Sequence, residues 1–203
     1  MGSPSVQLAK YAPSRDYTPG APLWKQLLWF YVGSGLVMSY WLPFSGLKVK
    51  LLRAFGAAIG SDVRIKPGVQ VKFPWRLSVG DSCWLGEQVW IDNLAPVTLE
   101  HDVCLSQGVY LCTGNHDWSQ PTFDLCIGHI YIEHSAWIGA KAVVGPGVTV
   151  GSGAVLGLGS TASRSLNSWT IYAGHPAEPI KQREIKGSQA DTVRDVNPAG
   201  DLI

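Results

Sequence analysis

From Ile59 onward an aliphatic side chain recurs at every sixth residue, and this rhythm excludes most folds. Ile59, Ile65 and Val71 form one set; Val79, Leu85 and Ile91 a second; Leu99, Leu105 and Leu111 a third. After an interruption come Ile132, Ile138, Val144, Val150 and Leu156. Four residues after nearly every aliphatic stands a small or short residue, from Val63, Val69 and Cys83 through Ala136, Ala142, Val148 and Ala154 to Ser160, with Trp75 and Asn115 the two exceptions. A period of six matches neither the ~3.6-residue turn of a helix nor the two-residue alternation of a long strand. It fits a short strand and a tight corner, repeated. The aliphatic points inward and the small residue fills the narrow corner. Three units close a triangular coil, and stacked coils bond backbone to backbone and bury one another. The steps from 71 to 79 and from 91 to 99 are each eight. The early coils therefore carry two extra residues at one corner, around Leu77-Ser78 and Val97-Thr98.

The flanks obey other rules. Leu23 to Phe55 reads as one or two helices, with Leu47, Leu51, Leu52 and Phe55 at helical spacing and Gly56 as the stop. They would cap the first coil, which otherwise exposes its apolar end and unpaired backbone. Leu27 to Phe44 runs 18 residues without a charge. The glycines and serines within it favour a helix packed on the body or on a neighbouring subunit over a bilayer span. Its aromatic residues make shallow, peripheral membrane association the alternative. Trp169 to His175 reads as an extended piece along the prism, Pro176 to Lys186 as a short helix, and 187–203 as a flexible polar tail. The expected divisions are thus 1–56, 57–165, 166–186 and 187–203. Met1 to Gly20 lacks a basic start and apolar core, so no signal peptide is expected. Cys83, Cys104, Cys112 and Cys126 show no CxxC pair, which suits reduced thiols and a cytoplasmic setting, with the inner face of the membrane as a further possibility. A formal net charge of +1 gives no broad field toward nucleic acid, so no nucleic-acid partner is expected.

The rhythm stops once, between Leu111 and Ile132. A loop on a rigid scaffold is where sites concentrate, and this one, spanning 113–131, opens Thr113-Gly114-Asn115-His116-Asp117-Trp118. Histidine is the side chain best suited to take a proton near neutral pH, so His116 is the candidate general base. Twenty residues per coil puts Ile91 under Leu111. Asp92 and Asn93 then lie one coil below the start of the loop, where with Asn115 they are candidates for binding acceptor hydroxyls. Plain turn formation is the competing reading of the first two.

Several stretches resemble the colanic-acid-biosynthesis branch of the maltose, galactoside and nodulation acetyltransferases: Leu42-Pro43-Phe44-Ser45-Gly46, Phe73-Pro74-Trp75-Arg76-Leu77, Asn93-Leu94-Ala95-Pro96-Val97, Cys112 to Asp117, Trp137-Ile138-Gly139-Ala140 and Gly145-Pro146-Gly147-Val148. The resemblance implies an all-β, left-handed parallel β-helix of about five coils, with an N-terminal helical cap. It supplies the handedness, since parallel crossovers in general favour the right hand. It further implies a homotrimer with active sites between subunits, acetyl-CoA as co-substrate, no metal, and O-acetylation of a saccharide hydroxyl in exopolysaccharide biosynthesis. His116 would take the hydroxyl proton, Asp117 would either orient the imidazole or face solvent, and the backbone N–H of Ala140 would meet the developing oxyanion. Trp137, Gly139, Ala140, Gly157, Arg164, Ala173, Gly174 and Arg183 would hold coenzyme A. Arg164 stands where the family has Lys, His175 replaces Asn, and Glu178 replaces Lys or Arg. These changes put the nucleotide end in doubt, where Lys181 or Arg183 could compensate. Two rival readings of the scaffold are a γ-carbonic-anhydrase-like zinc enzyme using His129 and His134, and a non-catalytic protein binding a sugar nucleotide or partner.

Overall fold

The computed structural model describes residues 5–11 and 17–186; the expected flexible tail lies outside them. The six-residue rhythm builds a parallel β-helix with three faces. The first face stacks Ala58–Ile59, Leu77–Val79, Val97–Leu99, Ile130–Ile132 and Thr149–Val150. The second stacks Arg64–Ile65, Trp84–Leu85, Cys104–Leu105, Trp137–Ile138, Val155–Leu156 and Thr170–Ala173. The third stacks Gln70–Val71, Trp90–Asp92, Tyr110–Cys112, Val143–Val144 and Thr161–Ala162. Five coils are complete, and a sixth is begun by Leu166, which bridges Val150, and by Thr170–Ala173.

Register follows the pattern residue for residue. Ile59 pairs with Val79, Val79 with Leu99, Leu99 with Ile132, and Ile132 with Val150. Each such aliphatic is buried, as are the small residues four positions on. A fully buried Leu or Ile stabilises by about 1.5–3 kcal/mol, so these three columns form the core. Corners turn by one device. The residue before each small corner residue except Ala95 takes a left-handed backbone, at Asp62, Ser82, Gln88, Asp102, Ser135 and Lys141 as well as at glycines 68, 108, 147, 153 and 159. Gly80 serves a different need: a Cβ there would lie 2.7 Å from the backbone of Glu100 and His101 in the next coil.

The extra residues of the early coils fall just before the expected positions. Leu77 and Val97 already belong to strands, and the insertions are Phe73–Arg76 and Asn93–Pro96, at the corner joining the third face to the first. The loop leaves the third coil at this same corner, so one edge of the prism is irregular through three coils.

The N-terminal helices form as expected. Leu23–Leu28, a π-turn at Trp29–Gly33, and Ser34–Met38 follow one another, then Ser45–Ala54 closes the first coil. Trp29, Gly33 and Val37 bury one stripe, and Trp29 Nε1 donates to the Val71 carbonyl at 3.0 Å. A Cβ on Gly33 would sit 2.2 Å from the Trp29 ring, so glycine is required for that packing. Leu52 and Val49 seal the coil end, and Arg53 donates to the carbonyls of Ile59 and Gly60. Among the described residues no helix is long and apolar enough to cross a membrane.

One expectation fails. Glu178–Gln182 is a strand antiparallel to Thr170–Ala173, not a helix. The second face had an open edge after its sixth strand, and the chain folds back to pair with it.

Candidate active site

The loop leaves and re-enters as a two-stranded ribbon, Gly114–His116 against Leu125–Ile127. Thr113 anchors its base. Its buried hydroxyl donates to the Asp92 carbonyl and accepts from the Ala95 N–H, both at 2.9 Å, tying the ribbon to the coil below. The returning strand is tied as well, Gly128 N–H donating to the Thr113 carbonyl at 2.9 Å.

His116 is half-buried on this ribbon. Its Nδ1 lies 2.9 Å from the Phe123 carbonyl. A carbonyl only accepts, so Nδ1 carries the proton and Nε2 is left with its lone pair. Phe123 also stacks on the imidazole, ring centroids 4.3 Å apart and planes within 8°. To present both carbonyl and ring, Phe123 sits at φ +52°, a costly conformation for a bulky residue. Tyr11 packs edge-on against the other side at 5.8 Å, brought there by the Gln7 N–H bonding to the Pro121 carbonyl. Neither Phe123 nor Tyr11 emerges from the sequence reading. An aromatic residue in a polar turn was the one available sign for Phe123; Tyr11 had none.

Asp117 does not orient the imidazole. Its carboxylate accepts from the Ser119 N–H at 3.0 Å and from the Ser119 hydroxyl, and these bonds hold its pKa below the ordinary carboxylate value. Asn93 does not face an acceptor. It is fully buried, its Oδ1 accepting from the Phe73 N–H at 2.8 Å and its Nδ2 donating to the Phe73 carbonyl at 2.7 Å. Coil stacking leaves these two backbone groups of the insertion without strand partners, and the amide supplies both. Asp92 remains at the edge, 2.8 Å from the Lys72 ammonium and bonded by the Tyr110 hydroxyl at 3.3 Å. Burial first, then Cys112 and Asp92, pushes the Tyr110 pKa up. Exposed Asn115 accepts from the His116 N–H at 2.8 Å, shaping the ribbon.

The residues expected at coenzyme A divide into three places. Trp137, Gly139, Ala140 and Gly157 lie along the second face and the corner that leads to the third. A Cβ on Gly139 would stand 2.6 Å from the Leu158 nitrogen, so the coils touch there. The Ala140 N–H donates no hydrogen bond among the described residues, while its carbonyl accepts from Gly159. Ala173 and Gly174 crown this corner, the Gly174 N–H bonding to the Ser160 hydroxyl at 3.0 Å. Arg164 is engaged by Glu178 at 2.7 Å, both exposed, so the unusual acid neutralises the nearby cation. Arg183 is elsewhere: its guanidinium donates to the carbonyls of Ser135 and Gly153, at the opposite edge of the second face. It is a staple there, not a phosphate ligand at the Ala140 corner.

Within one chain His116 and Ala140 stand on different edges of the prism. The third face separates them, a span of about 15–20 Å. His129 and His134 also part company, the first bonding the Thr98 hydroxyl at 3.1 Å and the second stacking on His101. No cluster of three or more His, Cys, Asp or Glu suited to a metal occurs among the described residues.

Comparison with known proteins agrees with this architecture. Residues 130–161 match the family described as the hexapeptide repeat of succinyl-transferase. WcaF of Escherichia coli (strain K12), named for an acetyltransferase role in colanic acid biosynthesis, is 34% identical over 181 residues, covering 87% of this chain and 96% of that protein. Among solved structures, the hexapeptide-repeat acetyltransferase VCA0836 of Vibrio cholerae superposes with a TM-score of 0.71 at 20% identity, covering 79% of this chain and 92% of that one. A galactoside acetyltransferase solved with coenzyme A gives 0.69 at 22% identity, covering 79% and 81%. The coiled prism, the loop bearing His116 and the near full-length likeness to WcaF place this chain among the hexapeptide-repeat acetyltransferases of the colanic-acid-biosynthesis type.

Proposed function

We propose that the protein transfers acetyl from acetyl-CoA to a hydroxyl of a saccharide intermediate in exopolysaccharide assembly. His116 carries the reading, since its proton-bearing Nδ1 is tied to a carbonyl and its Nε2 is free to act. Nε2 removes the acceptor hydroxyl proton as that oxygen attacks the thioester carbonyl. The oxyanion so formed is met by the Ala140 N–H, whose lack of an internal partner suits that role. Collapse expels the coenzyme A thiolate, and the imidazolium returns its proton to the sulfur. Because the two groups stand on different edges, the centre is completed between neighbouring copies. Cyclic symmetry with three subunits closes such a head-to-tail arrangement. The test is His116→Ala, assayed by thiol release from acetyl-CoA with a panel of mono- and disaccharides. Turnover falls by about 10²–10⁴-fold with the fold intact; undiminished turnover sinks the assignment.

The acceptor's location has its own support. Trp24 and Tyr31 are exposed on helices whose buried stripe is narrow, and Phe44 and Trp41, the latter almost wholly (96%), are exposed on the connector between Ser34–Met38 and Ser45–Ala54. No Asp or Glu occurs between Tyr17 and Ser61, where Lys25, Lys50 and Arg53 reach the surface and Lys48 is buried. Aromatic rings beside cations suit the interface of an anionic membrane, where a lipid-linked acceptor would be found. Four unpaired cysteines agree with the cytoplasmic side.

A further inference from the structure

A slot opens on the second face directly below the Ala140 corner, toward the N-terminal coils, with a volume of about 560 Å³. Its walls are set by the rhythm itself. The outward positions of this face, from the first coil to the fourth, are Arg64, Trp84, Cys104 and Trp137. The strands that carry the two indoles therefore lie two coils apart, roughly 9–10 Å, with the small Cys104 between them. The Arg64 guanidinium lies 4.6 Å from the Trp84 ring, covering the face toward the first coil and leaving the other toward the slot. Trp137 leans into the same space, its Nε1 donating to the Ser106 hydroxyl at 2.9 Å in the coil below. It thus turns away from the Gly157 side. A ring sandwiched between two aromatic faces needs ~3.5–4 Å on each side, which this spacing provides.

Charge adds a second condition. Arg64 and Lys66 line the slot, and neither forms an ion pair among the described residues. One carboxylate, Glu87, shares the lining, so cations outnumber it. Indole faces bind the C–H faces of a pyranose, and a guanidinium beside an ammonium binds a carboxylate or phosphate.

We propose that this slot is an acceptor subsite for an anionic saccharide residue, its ring between Trp84 and Trp137 and its acidic group directed to Arg64 and Lys66. The inference rests on the acetyltransferase reading, and it adds a division of the groove. The saccharide runs toward the N-terminal coils from Ala140, and the thioester arm toward Gly157 and Gly174.

Calorimetric titration of the full chain with three probes tests it: a neutral disaccharide, a disaccharide containing a uronic acid, and a sugar 1-phosphate. At least one anionic probe is expected to bind about tenfold or more tightly than the neutral one, and the tighter of the two identifies carboxylate or phosphate. The double variant R64Q/K66Q abolishes that preference, and Cys104→Trp, which fills the space between the indoles, weakens all three probes. The preference persists in His116→Ala, so a failed subsite and a failed catalytic base are seen separately. Equal binding of neutral and anionic probes, a preference surviving R64Q/K66Q, or competition by adenosine 3′,5′-bisphosphate for the same slot overturns the proposal.

Discussion

Nδ1 of His116 donates to the carbonyl of Phe123 at 2.9 Å while the two rings stack at 4.3 Å, so one loop residue fixes both the tautomer and the plane of the imidazole. Phe123→Ala removes the stack and leaves the carbonyl on a freer backbone. A roughly tenfold fall in kcat with little change in KM is expected, since only the alignment of the reacting groups suffers. Steady-state kinetics with acetyl-CoA and a saccharide acceptor decide; an unchanged kcat means the ring is held by something else.

The Ala140 N–H can be deleted without harming its turn. Pro67 and Pro146 occupy the equivalent position at other corners, each preceding a left-handed glycine, as Ala140 precedes left-handed Lys141. Ala140→Pro is therefore expected to fold with a Tm near that of the parent. Its kcat falls by about 10²–10³-fold. A correctly folded variant with full activity removes Ala140 from the mechanism.

Asn93 clamps the backbone of Phe73. Asn93→Ala strands the N–H and the carbonyl of Phe73, each at a cost of about 1–3 kcal/mol. Thermal denaturation shows a clear drop in Tm, with the acceptor KM unchanged. A raised KM at unaltered Tm reverses the assignment.

Stability has two pH limbs. Burial pushes the Cys83 thiol up to about 11 from its ordinary 9. A raised folded pKa means stability that is complete below the unfolded value and lost as pH climbs from about 9 through 11. Asp81 is lowered by hydrogen bonds from the Ser61 backbone and hydroxyl, and Glu100 by the Tyr131 hydroxyl and the His134 N–H. Their contribution is present above the ordinary carboxylate range and fades as pH falls through their depressed values. Tm measured against pH tests both limbs. Cys83→Ala flattens the alkaline limb, and Asp81→Asn the acid one.

The exposed aromatic helices make a last measurable claim. Full-length protein floats with vesicles containing anionic lipid, and less so as salt is raised. The combined change of Trp24, Tyr31 and Trp41 to Ser prevents flotation while Tm holds, since none of the three is in the buried stripe. Parent protein that stays in the soluble fraction refutes the membrane reading.

Most of the scaffold was legible because each buried aliphatic meets the same local demand as the one a coil below. Ile91 under Leu111 followed from counting alone. The closing strand escaped because Glu178–Gln182 is exposed at every position and so carries no alternation to read. His116 was visible as the break in the rhythm. Its true partner was hidden, since a backbone carbonyl is the same in every residue type. Asn93 was located correctly, but its two readings, acceptor binding and turn formation, stayed open, for coil arithmetic gives a height on the prism but not the direction of an amide.

The placement of His116 and Ala140 on separate ridges has a genetic corollary. On the intersubunit reading, no single gene product owns a working centre, so two defective alleles can rescue each other. Co-expression of His116→Ala with Ala140→Pro would regenerate wild-type junctions wherever the intact ridges meet, about one quarter of them if the polypeptides mix at random.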